Sequence, residues 1–400
     1  MTLLSLEFIS LAIALVLWVR FVSGPLRLAG FIVGSAVYAA SFLSPVGRTS
    51  TAAFLIAGFI FARVVQRWPR FTAPAVASLV AGFVYLRGYD VVVALLPGGF
   101  WNSALATAGL SYLLFKVVHV VVDSSGGALP RIGFWSYIAY CLNFTTFLLG
   151  PIQRYQGFLD QWEGRIEPLQ PDLASHLDAI NRILRGYLKK WVLADLLIGL
   201  ALLPGESISG LSPGAVMLGS WFFYLYLYCD FSGYCDIVIG IGRLMGVAPP
   251  ENFWLPFFSP NIAQYWLRVH RSLTEWLTDY VFHPVYTALL RSGLMRNRRF
   301  ASRNVAIAVT MIVAGVWHGT TLSFVLFGLV HAFYQVAYRT TEHVLSLRLG
   351  AQGLRDLRAR PSWAILGTAV TFVATASAYV FFVLTPVQLL SLVGLASSSR

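Results

Sequence analysis

The sequence is short of charge. Only 12% of its 400 residues are Asp, Glu, Lys or Arg, against about 25% in a soluble domain. A water-exposed surface cannot be built from that supply, which excludes a soluble globular enzyme. A chain that is 57% hydrophobic is also too apolar to stay disordered. What remains is a polytopic membrane protein. Lysine is scarce as well: Lys116, Lys189 and Lys190 are the only ones, so the net charge of +12 is mostly arginine. In a membrane chain, excess positive charge first of all sets topology. Basic residues stay in cytoplasmic loops and meet anionic lipid. Nucleic-acid binding has no support, because no soluble basic domain exists to carry it. Cysteine is nearly missing. Cys141, Cys229 and Cys235 all lie in apolar runs with no CxxC or Cys/His spacing, which argues against a disulfide or zinc framework.

What is present is a series of apolar stretches. They cover roughly 3–19, 28–47, 49–62, 71–96, 101–122, 132–150, 187–203, 211–229, 304–338 and 362–390, and suit spanning helices of about 20 residues. No segment between them is large enough to fold alone. The longest polar stretch, 153–190, reads as a loop plus an interfacial helix. Arginines at 63, 67 and 70 and at 339, 348, 355, 358 and 360 mark cytoplasmic loops. The run 304–338 has no formal charge, and as one helix would be about 50 Å long, against a hydrocarbon core of about 30 Å. It is expected to break, with Gly315 or Gly319 as the weak point. The run from 362 is expected to end near Pro386. The segment 250–300 is different: prolines at 249, 250, 256 and 260 divide it, and it mixes Trp254, Trp266 and Trp276 with Arg268, His270, Arg271, Glu275 and Asp279. Irregular backbone at membrane depth survives only when buried in protein or lining a cavity. This segment therefore reads as re-entrant or interfacial helices.

His318 stands in Gly315-Val316-Trp317-His318-Gly319, inside the uncharged run. An ionisable residue there is costly and points to function; the plain alternative is a neutral core histidine bonded to a carbonyl. His270 follows Tyr265-Trp266-Leu267-Arg268-Val269; if the stretch is helical, Arg271 and Glu275 are neighbours one turn apart. His318 and His331 lie 13 residues apart, which on one helix means about 20 Å and nearly opposite faces. No histidine pair has ligand spacing, so no metal is expected. Asp230 and Asp236 can act as acid and base groups, cap helices, or pair with Arg243 and Arg268; a structural role is favoured. No nucleophile elbow, P-loop or dinucleotide fingerprint occurs in a suitable context.

Acyl transfer from a thioester to a hydroxyl suits two buried histidines without a metal or a nucleophile signature. The thioester is already activated, and imidazole accepts the hydroxyl proton near neutral pH. A second donor can steady the developing oxyanion.

The stretch Tyr228–Tyr280 resembles the membrane-bound O-acyltransferase (MBOAT) family, in its alginate O-acetylation and D-alanyl-teichoic-acid branch. The resemblance rests on Asp230-Phe231-Ser232-Gly233-Tyr234, Ile239-Gly240-Ile241-Gly242-Arg243 and Pro250-Glu251-Asn252-Phe253. It continues through Trp266, Arg268, His270, Trp276 and Asp279-Tyr280, then Val316-Trp317-His318-Gly319 with Phe324, Gly328 and His331. Upstream, Gly150-Pro151-Ile152-Gln153-Arg154-Tyr155 also fits. The clearest match covers about 150–335 of a single domain spanning 1–400, with transmembrane helices in 1–149 and 362–390.

The resemblance implies an all-α polytopic fold, a ring of about 10–12 transmembrane helices around re-entrant helices that enclose a tunnel. It implies His318 and His270 as catalytic residues, with Trp317, Arg268, Asp230, Ser232, Tyr234, Asn252, Trp266 and Asp279 lining the substrate path. No bound cofactor is implied; the co-substrate is an acyl thioester, acetyl-CoA or an acyl carrier protein. Implied partners are membrane lipid, the cytoplasmic donor, a periplasmic or surface SGNH-type acyltransferase, and a polysaccharide acceptor. The implied location is the bacterial cytoplasmic (inner) membrane, and the implied acyl group is acetyl, with D-alanyl as the alternative. The basic stretch 291–303 is either a cytoplasmic loop or a contact for an acidic carrier or coenzyme A phosphates. Rival classes remain: a proton-coupled transporter or polysaccharide-export subunit using the intramembrane histidines and carboxylates, and a noncatalytic scaffold.

Overall fold

The computed structural model describes residues 5–87, 109–167, 172–293, 295–319 and 321–392. Among these residues every regular element is a helix. Among the described residues, four helices are long and apolar enough to cross a membrane: Pro45–Arg67, Pro69–Arg87, Arg299–His318 and Pro361–Val383. The apolar helix Gly24–Ala40 is shorter. The chain is thus an all-α, multi-pass membrane protein. Local chemistry fixes several helix starts. Ser44 precedes Pro45, and its hydroxyl accepts the Gly47 amide at 3.0 Å. Ser5 does the same for Phe8 at 3.2 Å. Each cap satisfies an amide that lacks an intrahelical partner.

The chain divides into two compact units, Met1–Gly186 with Tyr234–Pro250, and Tyr187–Gly233 with Glu251–Arg400. Helix Pro213–Met245 changes unit between Gly233 and Tyr234.

In the first unit, helices pack through aromatic rings such as Phe8, Tyr38 and Phe144, whose centroids lie 5.7–6.4 Å apart. A fully buried lysine organises the rest. The Lys116 ammonium donates to the Tyr140 and Cys141 carbonyls at 3.1 and 3.2 Å and to the Thr146 hydroxyl at 2.6 Å. Those carbonyls belong to the last turn of helix Phe134–Leu142, where intrahelical donors run out and a cation is favoured. Beyond it the backbone becomes irregular. Asn143 accepts both the amide and the hydroxyl of Thr145. The Tyr140 hydroxyl donates to the Gln153 carbonyl at 2.7 Å, and the Tyr155 amide donates to His119 Nε2 at 2.8 Å. The Gly150–Tyr155 motif is therefore pinned from several sides. Lys116→Ala is expected to lower stability by about 2–4 kcal/mol, because it leaves three buried acceptors without a donor. A thermal melt of the detergent-solubilised protein reads this as a clear drop in Tm.

Several apolar stretches give shorter helices than their length suggests. The run 132–150 is helical only over Phe134–Leu142; the backbone leaves the helix at Asn143, whose side-chain oxygen accepts from Thr145. The run 187–203 gives a π-turn at Lys189–Leu193 and a five-residue helix Ala194–Ile198. The run 211–229 continues instead, without a stop, to Met245. The expected spans 71–96 and 101–122 lie partly outside the described residues. Within the polar stretch 153–190, helix Leu173–Leu188 buries Ala179, Arg182 and Gly186 and exposes Leu173, Leu177, Leu184 and Leu188. That is the amphipathic pattern expected there.

Candidate active site

In the second unit the long uncharged run breaks at Gly319, between helix Arg299–His318 and helix Leu322–Ala359. The two helices pack as a tight hairpin because glycines face backbone. A Cβ on Gly315 would overlap the Phe324 carbonyl, and one on Gly328 would lie 2.7 Å from the Met311 carbonyl. Gly315→Val is expected to force the helices apart and cost about 2–4 kcal/mol through overpacking. The readout is loss of a monodisperse peak in size-exclusion chromatography, or a strongly lowered Tm.

The break leaves His318 as the last residue of its helix, half-buried. Aromatic rings surround it: Trp317 at 4.6 Å, Phe382 at 4.9 Å, Phe327 at 6.0 Å and Phe324 at 6.3 Å between centroids. Phe382 comes from the short helix Val380–Val383, which ends before Pro386. That is where the sequence places the stop.

His270 lies between two short helices, and the expected one-turn pair Arg271–Glu275 forms on the second at 3.8 Å. Helix Ile262–Trp266 ends, and helix Arg271–Leu277 starts anew with His270 as its N-cap in the left-handed region, φ 45°. A non-glycine residue there is strained by about 1–2 kcal/mol. The Asn252 segment holds it in place. The Arg271 amide donates to the Asn252 carbonyl at 2.9 Å, and the Ser272 amide and hydroxyl donate to the Asn252 side-chain oxygen at 3.2 and 2.8 Å. One turn earlier, the Trp254 amide donates to the Arg268 carbonyl at 2.8 Å. His270 is 9% exposed and packs on Phe231 at 5.0 Å and on Trp317 at 6.0 Å. Trp317 thus touches both histidines.

The other sequence-derived site residues separate into groups. Asn252 is fully buried and braces His270. Ser232 is buried on helix Pro213–Met245. Arg268 donates to the Phe258 carbonyl at 2.9 Å and lies over the Trp254 ring. Trp266 packs in a cluster with Tyr224, Tyr265, Ile307 and Met311. Asp279 is exposed at a π-turn. Asp230 is ion-paired with Lys190, and in the first unit Asp236 pairs with Arg182 at 3.0 Å. These two partners come from distant sequence, and the ion pairs agree with the structural role the sequence favours for the two carboxylates. Tyr234 is buried in the first unit. Sequence reasoning missed Phe327 and Phe382, because nothing in an apolar run singles out one phenylalanine.

Two imidazoles bridged by an indole, in a largely apolar interior, can accept and donate protons where water is scarce. No group of three or more His, Cys, Asp or Glu placed to hold a metal occurs among the described residues.

Residues 116–347 match the membrane-bound O-acyltransferase family, a span of over half the chain that includes both histidines. The chain belongs to that family. It is an enzyme, an acyltransferase. Among curated proteins, it is similar to the teichoic acid D-alanyltransferase of Streptococcus thermophilus, 31% identical over 70% of this chain and 69% of the relative. The teichoic acid D-alanyltransferase of Bacillus subtilis is 29% identical, over 60% of this chain and 61% of the relative. The probable alginate O-acetylase AlgI of Pseudomonas fluorescens is 28% identical, over 58% of this chain and 45% of the relative. The chain therefore spans less than half the length of that O-acetylase.

Proposed function

We propose that this MBOAT enzyme moves a small acyl group from a cytoplasmic thioester to an acceptor hydroxyl, across the membrane toward a hydroxyl of an extracytoplasmic polymer, with His318 as the general base. The observation that carries the reading is the Trp317 bridge: its ring lies 4.6 Å from His318 and 6.0 Å from His270. His318, less buried than His270, takes the proton of the attacking hydroxyl. The hydroxyl oxygen forms the new ester bond as the carbon–sulfur bond breaks. The proton on His318 then passes to the departing thiolate, so the step balances without a cofactor. His270, fixed by the Asn252 clamp, offers a hydrogen bond to the carbonyl oxygen as charge develops there. The apolar surroundings keep water from the thioester.

The donor is acetyl-CoA or an acyl carrier protein, and the acceptor a cell-envelope polysaccharide or related polymer at the bacterial inner membrane. A separate periplasmic or surface acyltransferase of the SGNH type is the proposed final carrier. D-alanyl transfer has support of its own, because the D-alanyltransferase of Streptococcus thermophilus aligns over more of this chain than the O-acetylase does. Membranes holding the protein, supplied with radiolabelled acetyl-CoA or with a radiolabelled D-alanyl carrier protein, separate these. Label appearing in base-labile polymer from one donor names the acyl group. Label from neither donor, in membranes that also hold the polymer, contradicts thioester transfer.

A further inference from the structure

Helix Leu322–Ala359 carries a histidine that the mechanism above does not use. His331 is 1% exposed, and neither of its ring nitrogens has a hydrogen-bond partner. A neutral imidazole has one donor and one acceptor, and buried polar atoms in native interiors are nearly always satisfied. The walls around it are rings: Phe327 at 4.5 Å, Trp266 at 5.1 Å, Tyr334 at 5.9 Å and Tyr265 at 6.5 Å between centroids.

Two neighbours share the anomaly. Trp266 is 8% exposed, and its indole N–H is unpaired. Gln335 is 6% exposed, and its side-chain oxygen is unpaired. Gln335 follows His331 by one turn and so lies on the same helix face. Three side chains, each more than nine-tenths buried, therefore offer a donor, a donor–acceptor ring and an acceptor in one neighbourhood. None of the three is charged when the imidazole is neutral, and the walls are aromatic. Such a set suits a neutral group rather than an ion. Phe327 touches both His331 and His318, so this neighbourhood lies one ring behind the proposed base.

We infer that His331, Trp266 and Gln335 form a binding site for a neutral group that both donates and accepts hydrogen bonds, a secondary amide or a hydroxyl, on a substrate that reacts at His318. The inference rests on the acyl-transfer reading only for which substrate carries that group. The pantetheine arm shared by coenzyme A and carrier-protein thioesters carries secondary amides and a hydroxyl; a simple sugar acceptor carries hydroxyls and no amide.

The test is equilibrium binding of two radiolabelled probes to the full-length protein in lipid nanodiscs. Pantetheine presents secondary amides as well as hydroxyls, and methyl glucoside presents hydroxyls but no amide. One probe is expected to bind saturably to wild type. Its Kd should rise at least about tenfold in His331→Phe and about three- to tenfold in Trp266→Phe, which removes the donor and keeps one aromatic ring. His331→Gln, which keeps hydrogen-bonding capacity, should recover most of the affinity. Pantetheine binding assigns the site to the donor, glucoside binding to the acceptor. Saturable binding of neither probe overturns the proposal. So does a Kd unchanged in Trp266→Phe and in every His331 variant that folds with wild-type Tm. Because binding is read without turnover, a protein that binds a probe but transfers no acyl group sinks the acyl-transfer reading and leaves the site standing.

Discussion

His318→Ala is expected to lower acyl transfer by at least about 100-fold, and up to about 10⁴-fold, the range typical for loss of a general base. That corresponds to about 3–5 kcal/mol in the barrier. The fold should survive. His318 ends its helix and is half-buried, and the rings around it also pack on one another. Phe382 lies 5.0 Å from Phe324 and 4.7 Å from Phe327. His318→Gln, which keeps a polar group of similar size but no base, should be as inactive as His318→Ala. Rates measured on purified protein with a matched melting curve separate loss of chemistry from loss of fold. Retention of more than a tenth of the wild-type rate would make His318 a structural residue.

The second large effect is at His270, and it has a signature that packing alone does not produce. Because His270 sits at φ 45°, glycine relieves backbone strain there while alanine keeps it. His270→Gly and His270→Ala should both lose at least about tenfold in transfer rate, the scale of a lost oxyanion donor being about 10²–10³. Yet His270→Gly should be the more stable of the two by about 1 kcal/mol, the reverse of the order inside a helix. A pair of thermal melts reads the difference. If alanine is the more stable, the left-handed turn held by Asn252 is absent in solution. If His270→Gly keeps full activity, the histidine has no part in the reaction.

Much of the architecture could be read from the chain. The lack of charge points to the membrane, the length of the 304–338 run requires a break, and Gly319 is where it occurs. The stop before Pro386 is likewise a local property. Periodicity failed where the backbone leaves the helix. His318 and His331 would lie about 20 Å apart on one helix. The turn at Gly319 instead folds the chain back, so that Phe327 contacts both rings. His270 falls in a helical-looking stretch, but the Asn252 segment captures the following amides and imposes a turn that no window of local sequence contains. The structural role of the two carboxylates was legible, but the partners Lys190 and Arg182 were not, for the same reason. Asp230 takes Lys190 and Asp236 takes Arg182, partners 40 and 54 residues away in sequence. Lys116 reads as one more residue of an apolar run, yet it holds the end of a helix and the turn after it. Position in the chain and then motif resemblance singled out His270 and His318, and the three-dimensional fold supplies the Trp317 bridge between them.

The most direct test is made in cells. Ester-linked acyl groups released from the envelope by mild base would be compared in wild type, in a strain lacking the gene, and in that strain carrying His318→Ala at matched protein level. Acyl transfer through His318 requires that one acyl species disappear from both mutants and return with the wild-type gene. Restoration of that species by His318→Ala would contradict it.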